Sequence, residues 1–325
     1  MIIVVMTSTA SPTAVVQPMP TIPADGAVAL PHWGLIRAEG ADAAPFLHGQ
    51  LTQDVEHLGD GQARLAGYCS AKGRLLASLV LWRPQPDTVF LACSADVLPA
   101  TLKRLSMFVL RAKCKLADVG AAWRLVGLAG PSALAWAAAA WPAVPWRVAD
   151  TPSGRLIRLP DAAGVPRALL VQPAGDALPA LPALPLPQWQ ALEVASGVPV
   201  VVAATVEQFV PQMVNLELVG GVNFQKGCYP GQEVVARSQY RGTLKRRAFL
   251  CRTAARAAPG QEVFAADDPT QPAGLVANAA PLPDGDHLTL VELKLAALEQ
   301  PLHLGAPDGP VLHRVAMPYP VGEPG

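Results

Sequence analysis

Charge is scarce in this chain, and so are aromatic rings. Of 325 residues only 15% are charged and 6% aromatic. The 25 cations balance the 25 acids, so the formal net charge is zero. No global field then favours nucleic acid or an anionic membrane. There is no C-x-x-C pair, and the five cysteines (69, 93, 114, 228 and 251) are odd in number and far apart. That excludes a disulfide framework or zinc ribbon and fits a reducing compartment. A Walker A sequence, G-x-G-x-x-G, H-E-x-x-H and G-x-S-x-G are all missing, which removes the common nucleotide, zinc-protease and serine-hydrolase readings. No apolar run reaches the roughly 20 residues of a membrane helix. The first charged residue is Asp25, so the N-terminus lacks the basic region of a secretory signal and the arginines of a mitochondrial presequence. Residues 1–27 read as a disordered tail, or as an over-extended start with Met6 as initiator. The expected setting is cytoplasmic, with no membrane partner.

What the chain does have is apolar material and proline: 51% hydrophobic residues and 34 prolines. This is enough for two or three domains with packed cores and many loops. "VALPHWGLIRAEG", "RLLASLVLWR" and "TVFLACS" read as strands. "DAAPFLHGQLTQDVEHL" sets Phe46, Leu47, Leu51, Val55 and Leu58 at helical spacing. "VLPATLKRLSMFVLRAKCKLAD" begins helical and ends as a basic strand. A second unit opens at "WRLVGLAGPSALAWAAAAW". "DALPALPALPLP" is a semi-rigid proline connector leading into the helix "PQWQALEVASG". From Arg247 onward, short strands and Gly/Pro turns predict an all-β unit. The whole is an α+β chain.

Two local features carry chemistry. In "NFQKGCYPGQEVVAR" (223–237) a thiol stands among glycines, a lysine and an acid. Lowering a thiol from its usual pKa of about 8.5 to about 7 raises the thiolate fraction roughly tenfold at neutral pH. Lys226 and Arg237 would supply that push, with Gly227 and Gly231 presenting the sulfur; the alternative is a small, buried, inert cysteine. Second, Val234 to Gln261 holds no acid but seven cations: Arg237, Arg241, Lys245, Arg246, Arg247, Arg252 and Arg256. That segment is either a polyanion site or a solvated basic edge. His48 and His57 lie nine apart, opposite faces of a helix, which argues against a metal pair.

The first of these stretches resembles a known family. Lys226, Gly227, Cys228, Tyr229, Gly231, Gln232 and Glu233, with Arg237 after three intervening positions, match the K-G-C-Y-x-G-Q-E signature of the YgfZ-type folate-binding proteins. "FVPQMVNLELVGGVNF", "RGTLKRR", "FLHGQLTQDV", "YCSAKGRLLASLVLWR" and "VGLAGPSA" resemble the same family, over about residues 28 to 250. The resemblance implies a fold similar to the glycine cleavage T protein (aminomethyltransferase). Three domains, 28–118, 119–246 with the signature, and a β-barrel-like 247–325, would surround a central hole. It also implies tetrahydrofolate as cofactor, with Asn215, Tyr229, Gln232, Arg237 and Arg241 as its contacts. Cys228 would be the functional thiol, flanked by Lys226 and Glu233, and no metal set is implied. The implied function is support of 4Fe-4S proteins, including radical enzymes that modify tRNA, in partnership with those clients and with cluster assembly factors, and without ordinary turnover. The aminomethyltransferases carry paired aspartates where this chain has Ala77 and Ser78. The relatives' helix glutamate falls on Ala195, and the nearby Glu193, about 200° away, is expected to face elsewhere. Two alternatives stay open: a folate-dependent aminomethyl or methyl transferase, and a tRNA-binding module using 237–256.

Overall fold

Runs such as "LLASLVLW" and "TVFLACS" show no polar alternation, the pattern of strands covered on both faces. That is where the computed structural model, which describes residues 16–241 and 244–322, places them. Chain order is β1 (Gly26–Ala29), β2 (Trp33–Glu39), α1 (Ala43–His48), β3 (Ala63–Cys69), β4 (Leu75–Gln85), β5 (Thr88–Ser94), α2 (Leu98–Met107), β6 (Lys115–Asp118), β7 (Trp123–Ala129), α3 (Gly130–Ala137), β8 (Val148–Thr151), β9 (Gly154–Arg158), β10 (Arg167–Pro173), α4 (Leu186–Ala195), α5 (Gln232–Tyr240), β11 (Arg246–Thr253), β12 (Glu262–Ala265), β13 (Gly274–Pro281), β14 (His287–Lys294), β15 (Leu302–Leu304) and β16 (Val311–Val315).

These make two five-stranded antiparallel sheets, β3-β4-β5-β2-β6 and β1-β7-β10-β9-β8, and a closed barrel β11-β14-β13-β12-β15-β16. Side chains alternate between faces of a strand. Leu35 therefore joins the central core shared with Trp189 and the barrel's Leu250, while the next residue, Ile36, joins a second core with Leu47, Leu51 and Leu91. Helix α4 is buried nearly all round, with Trp189, Ala191, Leu192, Val194 and Ala195 inside. It stops at Gly197, whose φ of +65° is the left-handed geometry that favours glycine at a helix end. The polar chain between α4 and the barrel is fastened by buried groups. Asn215 exchanges amide hydrogen bonds with the Ala248 backbone, and the Arg247 guanidinium donates to Glu217 and to the Gln212 carbonyl.

Three expectations need correction. The helix expected over Phe46 to Leu58 ends at His48. Leu51, Val55 and Leu58 are buried through turns and a bridge from Leu51 to Tyr68, so burial there has no helical period. Residues 1–15 of the expected tail lie outside the described residues, but 16–27 are ordered. Gln17 exchanges backbone bonds with Arg314 and Ala316, Ile22 is buried, and Asp25 accepts from both Ser132 N and Ser132 Oγ. A proline-rich segment has no ladder of its own, so only tertiary partners reveal its place. Finally, β1 belongs to the second sheet, paired with β7, rather than to the first.

Glu217 and Arg247 are both nearly inaccessible. Removing one partner of such a pair strands the other charge, at about 3–5 kcal/mol. Glu217→Ala should therefore lower the unfolding free energy by about that amount, whereas Glu233→Ala, in an exposed pair with Arg237, should leave it unchanged. Thermal and urea denaturation of the two variants side by side checks this.

Candidate functional site

The signature loop is held by its lysine. Lys226 is buried, and its ammonium donates to the Leu51 carbonyl at 2.8 Å and to the His48 carbonyl, at the end of α1. Carbonyls at a helix C-terminus carry negative partial charge and suit a cation. The Tyr229 ring closes the other side, its centroid 4.9 Å from Nζ. Burial brings the amine down from its ordinary 10.5 to about 8, against the raising fields of Asp54, Cys228 and Glu56. Gly231 opens α5 at φ +79°, and a side chain there would strike the Ser70 carbonyl at 2.4 Å and the Gly73 backbone at 2.6 Å. The β3–β4 turn therefore packs backbone to backbone against the loop. Gly227 has no such constraint; a β-carbon on it would sit in ordinary contact, 3.5 Å from His48 Nε2.

Between these anchors Cys228 is exposed. Cys69, Cys93 and Cys251 are buried and their thiols are pushed up to about 12 by burial; Cys114 is half-buried and is raised to about 11 for the same reason. The cations expected to act on the Cys228 thiol are otherwise engaged, Lys226 with carbonyls and Arg237 with Glu233 at 3.1 Å.

Sequence reasoning missed what lies under the loop. His48 and His57 were expected on opposite faces of a helix, but the helix has ended, and both rings turn to one carboxylate. His48 Nδ1 is 3.1 Å from Asp54 Oδ1 and His57 Nδ1 is 2.9 Å from Asp54 Oδ2. Burial pushes the Asp54 carboxyl up, but hydrogen bonds from the His57 backbone and ring, with the fields of both imidazoles, bring it below the ordinary range. Arg64 fixes this turn by donating to the Asp54 and His57 carbonyls. Thr52 joins it to the signature segment: its hydroxyl donates to the Gly221 carbonyl at 2.6 Å and accepts from Gly67 N at 2.7 Å. The only sequence signal was the polar content of "FLHGQLTQDV" itself.

A second site lies where both sheets, α4 and the barrel meet. A chamber of about 330 Å³ is lined by His32, Asp96, Gln190, Glu193 and Asn278, and continues into a recess of about 30 Å³ beside Ser78 and Arg167. Glu193 faces away from the direction of Ala195, as its spacing on the helix implies, and points into the chamber. Its carboxylate accepts from Trp33 Nε1 at 2.7 Å and Trp189 Nε1 at 2.8 Å and meets His32 Nε2 at 2.9 Å. A helix buried on most faces offers its acid little water, so the acid keeps three donors instead. With Nε2 donating to Glu193, His32 Nδ1 is left a buried acceptor with no partner. Ala77 lies in the core on the far side of its strand, and Ser78 Oγ is taken by Val201 N. Neither Ala77 nor Ser78 itself offers a carboxylate; the acid that lines the recess beside Ser78 is Glu193. The outer chamber is about ten times the volume of the recess, and the His32 ring is among its walls.

The other expected ligand contacts lie elsewhere. Asn215 is fully buried against the barrel, and Tyr229 covers Lys226. Gln232, Arg237 and Arg241 are on or just after α5. None of the five lines the chamber. The basic segment is also less basic than it reads. Arg246 pairs with Glu292, Arg247 with Glu217 and Arg252 with Asp284 and Asp286, acids remote in sequence and so invisible to a local count.

For Lys226 the pH dependence has a definite sign. Its folded pKa lies below the unfolded value, so between about 8 and 10.5 the unfolded chain holds a proton the folded one has released. Stability from this group therefore rises with pH across that window. Urea titrations at both ends of it should show a positive slope that Lys226→Met loses.

Residues 26–170 match the family described as the GCVT N-terminal domain. The tRNA-modifying protein YgfZ from Edwardsiella ictaluri is 37% identical over 243 residues, 71% of this chain and 72% of that protein. The crystal structure of the glycine cleavage system aminomethyltransferase T from Bartonella henselae superposes with a TM-score of 0.64 at 18% identity, covering 91% of this chain and 87% of that one. This likeness shows a shared fold: three units about a central chamber, ending in a barrel. The identity and coverage shared with the Edwardsiella protein show that the chain belongs to the YgfZ family.

Proposed function

We propose that this protein is a folate-binding accessory factor that keeps iron–sulfur proteins active, among them enzymes that modify tRNA, with Cys228 as its working thiol. The observation that carries the reading is the contrast among the cysteines. Cys228 is exposed on a clamped loop, whereas Cys69, Cys93 and Cys251 are sealed in cores. A thiol must be reachable to meet a client protein, and its reactivity follows exposure and ionisation. The name of the Edwardsiella relative supports the link to tRNA modification. A lone cysteine holds no stable cluster, since clusters need several thiolates; a transient contact with client iron or sulfur is the role left to it.

The chamber supports the folate half of the reading. His32, Asp96, Gln190, Glu193 and Asn278 would hold the pterin, and bound tetrahydrofolate would supply a one-carbon carrier or reductant at the junction. A transferase reading fares less well, because Ala77 and Ser78 offer no carboxylate to orient a reacting amine. RNA binding through 237–256 loses support with the arginine pairs described above.

Two measurements test the proposal. In a strain deleted for the protein, Cys228→Ala should fail to restore the activity of a 4Fe-4S tRNA-modifying enzyme, whereas the parent chain restores it; full restoration by the variant sinks the thiol role. Calorimetric titration should show tetrahydrofolate binding that His32→Ala weakens about tenfold, one buried hydrogen bond being worth about 1–3 kcal/mol. Equal affinity in both proteins removes the chamber from the folate site.

A further inference from the structure

Beneath the thiol loop lies an imidazole that the proposed function does not use. His48 is largely buried, with its Nδ1 hydrogen bonded to Asp54 Oδ1 at 3.1 Å. A carboxylate on Nδ1 sets the tautomer: that nitrogen carries the proton, and Nε2 becomes the free acceptor. Nε2 faces the signature loop, 3.5 Å from the β-carbon position of Gly227, the residue bonded directly to Cys228. Lys226 clamps the same loop to the carbonyl of the same histidine. Ring and loop are thus held together from both sides.

We propose that His48 is the proton acceptor for the Cys228 thiol and that Asp54 is its positioning residue. This rests on the reading of Cys228 as the working thiol. The acids facing the ring are Asp54 and Glu56, the latter with a carboxylate oxygen 3.9 Å from Nδ1. The Lys226 ammonium lies nearby but is engaged by carbonyls, and the exposed His57 shares the second oxygen of Asp54.

The substrate class is a disulfide on a client protein. The Sγ–H proton passes to His48 Nε2, and the thiolate pair attacks one sulfur of the disulfide. The S–S bond breaks with its electron pair on the second sulfur, which takes the proton back from His48. One disulfide is exchanged for another and no outside oxidant or reductant is consumed.

The test is the rate at which iodoacetamide alkylates Cys228 in the full chain, followed by mass spectrometry as a function of pH. In the parent protein the reactivity should rise with a midpoint well below the ordinary thiol value of about 8.5. His48→Gln should move that midpoint up to about 8.5 and slow alkylation at neutral pH about tenfold or more. Asp54→Asn should give a smaller shift in the same direction, which covers the case of a glutamine variant that does not fold. A parent midpoint already at the ordinary value, or superimposable parent and His48→Gln profiles, overturns the inference. Those results would leave the thiol reading standing so long as Cys228→Ala still fails in the deletion strain; a Cys228→Ala protein that works there overturns both.

Discussion

The contact on which the thiol site depends is a buried ammonium resting on two carbonyls. Placing Lys226 inside costs solvation, and its depressed pKa records that cost. The charge is tolerated because His48 and Leu51 offer carbonyls left over where α1 ends, and because the Tyr229 face covers the remaining side. In return, a segment 175 residues further along the chain is fixed beside the first sheet by side-chain bonds to the carbonyls at the end of α1. Position and presentation of Cys228 follow. The residue two places before it is anchored, the residue after it is packed on that anchor, and Gly231 meets the β3–β4 turn at backbone contact distance. An arginine in place of Lys226 would bring a planar fork of five donors where two carbonyls converge, leaving donors unpaired.

The junction chamber follows a different logic. Its acid is already saturated by two indoles and an imidazole, and the buried His32 Nδ1 is left without a partner. The carboxylate of the chamber is thus part of its wall, held by three donors, rather than a free group. Ala195 is packed in the central core, while Glu193, on another side of the same helix, gives the pocket its acid and fixes the His32 ring.

Much of the architecture was legible because it is written in local patterns. Unbroken apolar runs marked the doubly covered strands β4 and β5, and a proline connector followed by "PQWQALEVASG" marked α4 and its stop at Gly197. The crowding of special residues in the signature loop pointed to a presented cysteine, and Cys228 is exposed there. What escaped were relations set by tertiary pairing. Leu51, Val55 and Leu58 mimic helical periodicity but are buried from turns, so the two histidines looked opposed when they share one carboxylate. The arginines of 246–252 looked unpaired because Glu292, Glu217, Asp284 and Asp286 arrive from other strands and loops. A local count of charge has no access to such partners.

The two sites share one piece of scaffold, the β3–β4 hairpin. Its turn, Ser70 to Gly73, supports the thiol loop, and Gly67 donates to the Thr52 hydroxyl that holds the turn after α1. Further along β4, Ser78 and Val80 line the recess of the chamber, and Ser78 Oγ accepts from Val201 N. Both faces of this hairpin are packed, Leu65 and Val80 in the central core and Leu79 and Leu81 in the second. Close-packed interiors have little room for small displacements. The thiol loop and the chamber are therefore set in a fixed relation by the sheet itself, so a displacement at one end of the hairpin has to be carried through packed strands before it reaches the other.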